Sequence, residues 1–221
     1  MGGIRAAIGD SYKRHGVYSR KLDRLNRLPL HTAFMREGSV PQFPTRESMW
    51  GAVAERCPGP IDYLEFGVHR GHSILTWATL NTDVASRFVG FDTFTGLPET
   101  WNDAHPKDHF TTEGRTPRTS DSRVTFEVGL FQDTLIPYLE RHRASERQVV
   151  VHIDCDLYTS TLYCLTKLDP VMARGTVLIF DEFGDVLHEF RAFSDYIASY
   201  RRTARLLCSH DDGYTAAVVL D

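Results

Sequence analysis

The sequence predicts an α/β fold: a doubly wound, mostly parallel seven-stranded sheet with an antiparallel hairpin at one edge. Three observations carry this. Short apolar runs alternate with helical segments from residue 61 onward, the pattern of parallel strands joined by crossover helices. The run 149–153 is nearly all β-branched, as in a strand buried on both faces. The last two runs, 205–208 and 215–220, are joined by Asp211-Asp212-Gly213, a hairpin-type turn.

The elements follow in order. A strand over 61–66 ends at Gly67, and a helix is expected over 73–80. A second strand, 88–91, ends at Asp92, and a third, 124–128, is closed by Gly129. A helix over 134–142 leads to the strand 149–153, then a helix over 158–172 to a fifth strand, 175–180. The helix expected over 188–200 places Phe190, Phe193, Ile197 and Tyr200 at helical spacing. Between the second and third strands, residues 93–123 have no periodicity and are rich in Gly, Pro, Thr and Asp. So long a loop inside a compact domain is usually functional or disordered. A lid is therefore expected there, with Phe94, Trp101 and Phe110 as its aromatic face. Residues 1–57 read as an N-terminal helical arm or cap and 58–221 as one domain.

Composition narrows the function. The 221 residues are 42% hydrophobic and 24% charged with a net charge of −4, so a full core is available and no general basic character exists to hold nucleic acid. No run of eighteen apolar residues spans a membrane. Cys57, Cys155, Cys164 and Cys208 show no CxxC spacing, and are expected to be reduced, structural and cytoplasmic. The N-terminus carries Arg5, Lys13, Arg14, Arg20, Lys21, Arg24 and Arg27 but no apolar stretch, with Ala6 where a myristoylation signal needs Ser or Thr. It is expected to be a solvated or subunit-contacting arm, so a homodimer formed through it is a possible assembly.

The strand ends hold the chemistry. Ligands of open α/β sheets bind beyond the carboxyl ends of the strands. Here those ends are Glu65-Phe66-Gly67, Asp92, Gly129, Asp154-Cys155-Asp156 and Asp181-Glu182. Carboxylates crowded at one edge repel each other, so something positive should sit among them. The glycines of Gly67-Val-His-Arg-Gly71 admit a ligand close to the backbone, but their spacing differs from the G-x-G-x-x-G of a dinucleotide site. A smaller nucleoside bearing an amino acid suits it better. Asp92 is placed to hold both ribose hydroxyls. Five βα units with an antiparallel finish outline a class I, Rossmann-like methyltransferase.

Three segments strengthen that outline. Asp62-Tyr-Leu-Glu-Phe-Gly-Val-His-Arg-Gly71, Phe88-Val-Gly-Phe-Asp-Thr-Phe-Thr-Gly-Leu-Pro-Glu99 and His152-Ile-Asp-Cys-Asp-Leu-Tyr-Thr-Ser160 resemble the macrocin O-methyltransferase family. Its members methylate sugar or phenol hydroxyls in antibiotic biosynthesis, using S-adenosylmethionine and usually magnesium. The resemblance covers residues 45–200 and implies that Glu65, Gly67, Gly71, Ser73 and Asp92 face the cofactor; Phe66, Thr93, Gly129 and Phe131 complete the expected cofactor set. It also implies a Mg²⁺ site at Asp154, Asp181 and Glu182. The chain departs from the family in having Glu182 where the second Asp is usual, and Cys155 where Gly is usual.

The reagent sets the expected mechanism. A sulfonium methyl is already activated, so the protein aligns acceptor oxygen, methyl carbon and sulfur. Metal coordination lowers the pKa of the acceptor hydroxyl, and Asp156, beside Asp154, is the expected base. The alternatives are a metal-independent carboxyl- or N-methylating enzyme, a noncatalytic S-adenosylmethionine binder, and an oxidoreductase disfavoured by the glycine spacing. His152 is expected to be a satisfied core histidine, and His105 and His109 solvated loop residues.

Overall fold

The computed structural model describes residues 21–36, 40–142 and 146–221. The basic residues Arg5, Lys13, Arg14 and Arg20 lie outside them. Eight strands form one sheet: β1 (Gln42–Phe43), β2 (Ile61–Phe66), β3 (Arg87–Asp92), β4 (Val124–Val128), β5 (Gln148–Ile153), β6 (Val177–Phe180), β7 (Ala204–His210) and β8 (Thr215–Leu220). Their order across the sheet is β1-β7-β8-β6-β5-β2-β3-β4. The core from β4 to β6 is parallel, and β8 inserts antiparallel between β6 and β7. The expected count of seven is corrected to eight by β1, whose two residues pair with Ser209 and His210 of β7. Two residues carry no readable alternation.

Strand alternation sorts the core into two layers. Leu64 and Phe66 of β2, Val151 and Ile153 of β5, Leu178 and Phe180 of β6, and Ala216 and Val218 of β8 face one side. There they meet the helices α4 (Phe131–Arg141), α5 (Tyr158–Leu168) and α6 (Glu189–Tyr200). Ile61, Tyr63, Val150, Val177, Ile179, Ala217 and Val219 face the other, under α2 (Arg46–Ala54) and α3 (His72–Leu80). All six residues of β2 are buried, including Asp62, which sits at the strand's start and accepts from Arg87 Nε at 2.7 Å and Nη2 at 2.8 Å.

Helix α2 falls within the stretch expected to be helical, but its bounds and its buried face were not legible in the sequence. Thr45 caps it by accepting from the Ser48 N–H, while the Ser48 hydroxyl accepts from the Thr45 N–H. This is a capping box with Ser in place of the usual Glu or Gln. Met49, Trp50 and Val53 of α2 are fully buried in the core of the sheet, so this part of residues 1–57 is an integral layer. A helix over residues 21–36, α1, docks beside α6. His31 packs edge-on to Phe190 at 4.9 Å and Phe34 to Phe193 at 5.5 Å, and Arg27 pairs with Asp195 at 3.0 Å.

Candidate active site

The parallel strands end around one cavity of about 700 Å³, within the range of small-molecule sites, roughly 300–1,000 Å³. Its floor begins at the turn after β2. Gly67 has φ +91°, and a Cβ there would lie 1.6 Å from the Asp154 carbonyl oxygen. Only glycine lets β2 and β5 leave the sheet this close together. Asp92, ending β3, clamps the turn: one oxygen accepts from the Val68 and His69 N–H groups, each at 2.8 Å, and the other from the Phe94 N–H at 2.7 Å.

The expected cofactor residues divide into a wall and its support. Gly67, Ser73, Asp92, Thr93 and Phe131 line the cavity. Glu65 does not: it is fully buried and accepts from the Tyr63 hydroxyl at 2.6 Å and the Ser73 hydroxyl at 2.8 Å. Phe66 is also fully buried, stacked on Phe91 at 4.7 Å and set edge-on to Phe131 at 5.4 Å, which holds that wall ring in place. Gly71 caps α3 in the left-handed region with Pro117 against it, and the Gly129 N–H bonds the Asp92 carbonyl; neither faces the cavity.

The opposite wall is acidic. Asp154, Asp156, Asp181 and Glu182 all line it. Asp154, Asp156 and Glu182 can each offer an oxygen such that all three atoms lie within 4.8 Å of one another. Asp181 is engaged elsewhere: Arg46 of α2 holds its Oδ2 at 2.5 Å, and its Oδ1 is buried without a partner. Burial, then the charges of Asp181 and Asp156, pushes the Asp154 carboxyl well above the usual range. Burial, followed by Asp181, pushes Asp156 up to about 7. Glu182 and Glu189 are raised in the same way, by burial first. Burial opposes the charge on Arg46, but Asp181 and Asp154 outweigh it and raise its pKa.

This donor set fits a hard divalent cation. It consists of oxygens only, it includes the buried, unpartnered Glu182 Oε2, and its members resist ionising together. Asp154, Asp156 and Glu182 would each supply one carboxylate oxygen to such an ion. Asp156 adopts φ +59°, a left-handed conformation that costs a non-glycine residue roughly 1–2 kcal/mol; the turn at Asp154-Cys155-Asp156 turns both carboxylates to one wall.

Residues 93–123 cross the mouth. Leu97, Trp101, His105 and Phe110 line the cavity, and the segment is tied down where Trp101 Nε1 donates to Asp185 and Thr159 donates to Glu99. Phe94 corrects the expected aromatic face: it is fully buried, edge-on to Phe126 at 6.0 Å, and packs in the core cluster on the α2 and α3 side of the sheet. Arg46 and Trp50 reach the cavity from α2, a contribution that the sequence did not signal. His152 is fully buried with Nδ1 on the Tyr63 hydroxyl at 2.7 Å.

A doubly wound sheet with a small-molecule cavity at its carboxyl edge defines the class. The chain belongs to a family whose model is described as a methyltransferase domain and matches residues 64–183. It is 30% identical over 164 residues to the 8-demethyl-8-(2,3-dimethoxy-alpha-L-rhamnosyl)-tetracenomycin-C 4'-O-methyltransferase of Streptomyces olivaceus, covering 63% of this chain and 60% of that protein. It is 31% identical over 169 residues to the mycinamicin III 3''-O-methyltransferase of Micromonospora griseorubida, with 63% of each covered. The chain thus spans about three fifths of the length of these relatives. The crystal structure of CalS11, a calicheamicin methyltransferase, matches with a TM-score of 0.60 at 21% identity over 88% of this chain and 91% of that one, which shows the shared fold. No helix among the described residues is long and apolar enough to cross a membrane.

Proposed function

We propose that the chain is an S-adenosylmethionine-dependent O-methyltransferase acting on a hydroxyl of a small molecule, a sugar or phenol of a natural product, with Mg²⁺ at the acidic wall. The carrying observation is one cavity with the Asp92-clamped glycine turn on one side and the Asp154–Asp156–Glu182 cluster on the other. A pure binder has no use for that cluster. The named activities of the two relatives, both O-methylations and the first of a rhamnosyl-bearing compound, support the same reading.

Roles follow from position. Asp92 takes the ribose hydroxyls, with Thr93 beside it and Phe131 against the base; Gly67 and Gly71 keep the turn close. Glu65, Phe66 and Gly129 support that wall from behind. Arg70, a cavity-lining cation, takes the cofactor's carboxylate. Asp154, Asp156 and Glu182 hold the metal, and Arg46 keeps Asp181 beside them as a fourth carboxylate. When bound, Mg²⁺ lowers the pKa of the acceptor hydroxyl. Asp156 is either a ligand or the proton acceptor beside Asp154, and its amide variant separates the two roles. Trp101 and Phe110 close over the acceptor and exclude water.

The exposed Leu22, Leu25, Leu28 and Leu30 of α1 support pairing of two copies through the arm, and four free, buried cysteines support a cytoplasmic setting. The test is transfer of labelled methyl from S-adenosylmethionine to rhamnosylated and phenolic acceptors, with and without EDTA. Transfer that EDTA abolishes is the expected result; transfer to carboxylates or amines alone, unaffected by EDTA, would overturn it.

A further inference from the structure

We propose that Arg46 competes with the metal for Asp181, so that loading the acidic wall exchanges a guanidinium for the ion. The proposal rests on the metal reading above and adds a residue that sets how tightly the ion is held. Arg46 lies before residue 64, where the match to the methyltransferase domain begins, so it comes to the site from this chain's N-terminal layer.

The carboxylate is the fixed partner. The Asp181 N–H donates to the Ile153 carbonyl at 3.0 Å, and its own carbonyl accepts from the Thr215 hydroxyl at 3.0 Å, which pins the backbone just after β6. Its side chain is only 9% exposed, with Oδ2 on Arg46 at 2.5 Å and Oδ1 buried without a partner. A charged oxygen left in that state is costly, and a further cation would relieve it. Asp181 stands outside the triad whose oxygens lie within 4.8 Å of one another, yet its charge acts on all three of Asp154, Asp156 and Glu182. It is the neighbouring ligand that the arginine holds back.

The arginine is the movable partner. Its backbone is fixed at the first turn of α2, by the Thr45 cap and the buried Met49, Trp50 and Val53. Its side chain is 41% exposed, lines the cavity, and carries the guanidinium 5.8 Å from the centre of the Trp50 ring. The tip can therefore swing into the cavity while Asp181 stays. Asp181, Asp154 and Glu182 all act on its charge, so the guanidinium and a divalent cation draw on the same carboxylates. A guanidinium is a planar fork that suits one carboxylate, whereas a hard dication gathers oxygens from several directions. The ion can take Asp181 together with the triad, but it must first break the arginine pair. Arg46 thereby weakens metal binding and keeps the ion exchangeable.

The experiment measures Mn²⁺ affinity of the full chain by electron paramagnetic resonance. Arg46→Gln and Arg46→Ala should each bind Mn²⁺ about tenfold or more tighter than the unmodified protein, the worth of the charged hydrogen bond that the ion no longer has to break. An arginine that merely held Asp181 in place for the ion would give the opposite result, weaker binding in both. In an Asp181→Asn background, Arg46→Gln should tighten Mn²⁺ little, because the contested ligand is gone. Thermal unfolding reports whether each variant is folded, and Arg46→Gln keeps a stem over Trp50 should Arg46→Ala fail to fold. Unchanged or weaker Mn²⁺ binding in a folded variant would overturn the proposal, as would equal tightening in the Asp181→Asn background. Binding that appears only once Arg46 is replaced would support it. If neither the unmodified protein nor any Arg46 variant binds Mn²⁺, the metal reading itself fails and this inference with it.

Discussion

Gly67→Ala is the substitution whose cost the structure specifies most closely. Two effects add. Any L-residue at φ +91° pays for a left-handed backbone, roughly 1–2 kcal/mol. The new Cβ would also lie 1.6 Å from the Asp154 carbonyl oxygen, a backbone atom that cannot swing aside as a side-chain tip can. Relieving such overpacking costs typically another 1–3 kcal/mol. The expected loss is about 2–5 kcal/mol, a large part of the roughly 5–15 kcal/mol that holds a domain folded. Gly59→Ala is the control: its φ is also +91°, but a Cβ there meets nothing within 4 Å, so only the backbone cost of roughly 1–2 kcal/mol applies. Urea unfolding of both variants measures the difference directly, with the midpoint shifting at constant slope. Folded Gly67→Ala should also bind S-adenosylhomocysteine poorly, because the clash displaces the Asp154 loop. Equal stability losses in the two variants would refute the argument from close approach.

Further outcomes follow from the same geometry. Asp92→Asn replaces an acceptor of three backbone N–H bonds and should weaken S-adenosylhomocysteine at least tenfold in calorimetry, with a lower melting temperature; unchanged affinity would remove Asp92 from the cofactor site. Asp156→Asn should lower Mn²⁺ affinity, read by electron paramagnetic resonance, if the residue is a ligand, whereas unchanged Mn²⁺ affinity with a reduced turnover would make it the base. Arg70→Ala should weaken S-adenosylhomocysteine by about tenfold or more while leaving 5'-methylthioadenosine, which lacks the carboxylate, unaffected; equal effects on both would contradict the assigned contact. Tryptic nicking at Arg115, which is 77% exposed, should slow when cofactor and acceptor bind together, and a ligand-independent rate would mean that the loop does not close.

Most of the sheet was legible because its strands are apolar runs punctuated by Gly or Asp. The ranges of β2, β4 and β8 coincide with their expected bounds, and β5 was recognisable by its valines. Helices were misjudged at their ends: α5 stops at Leu168, and a 3₁₀ turn over Asp169–Val171 takes over, where Pro170 cannot continue the ladder. Helix α2 escaped because its cap uses Ser48 and its buried face is only Met49, Trp50 and Val53. At the site, the strand-end carboxylates were readable from position alone. Which of them converge was not, since the Arg46–Asp181 pair spans 135 residues and Asp156 reaches the cluster through a left-handed turn. Composition likewise made Phe94 look like a loop aromatic, while the structure buries it in the core.

The central claim is that this cavity holds S-adenosylmethionine beside a metal-assisted hydroxyl. Calorimetric titration of the full chain with S-adenosylmethionine, in Mg²⁺ and again in EDTA, tests it most directly. Saturable one-to-one binding is expected in both conditions, since the Asp92 wall and the acidic wall are separate surfaces, with Mg²⁺ binding detectable on its own and lost in Glu182→Gln. Absence of S-adenosylmethionine binding in both conditions would contradict it.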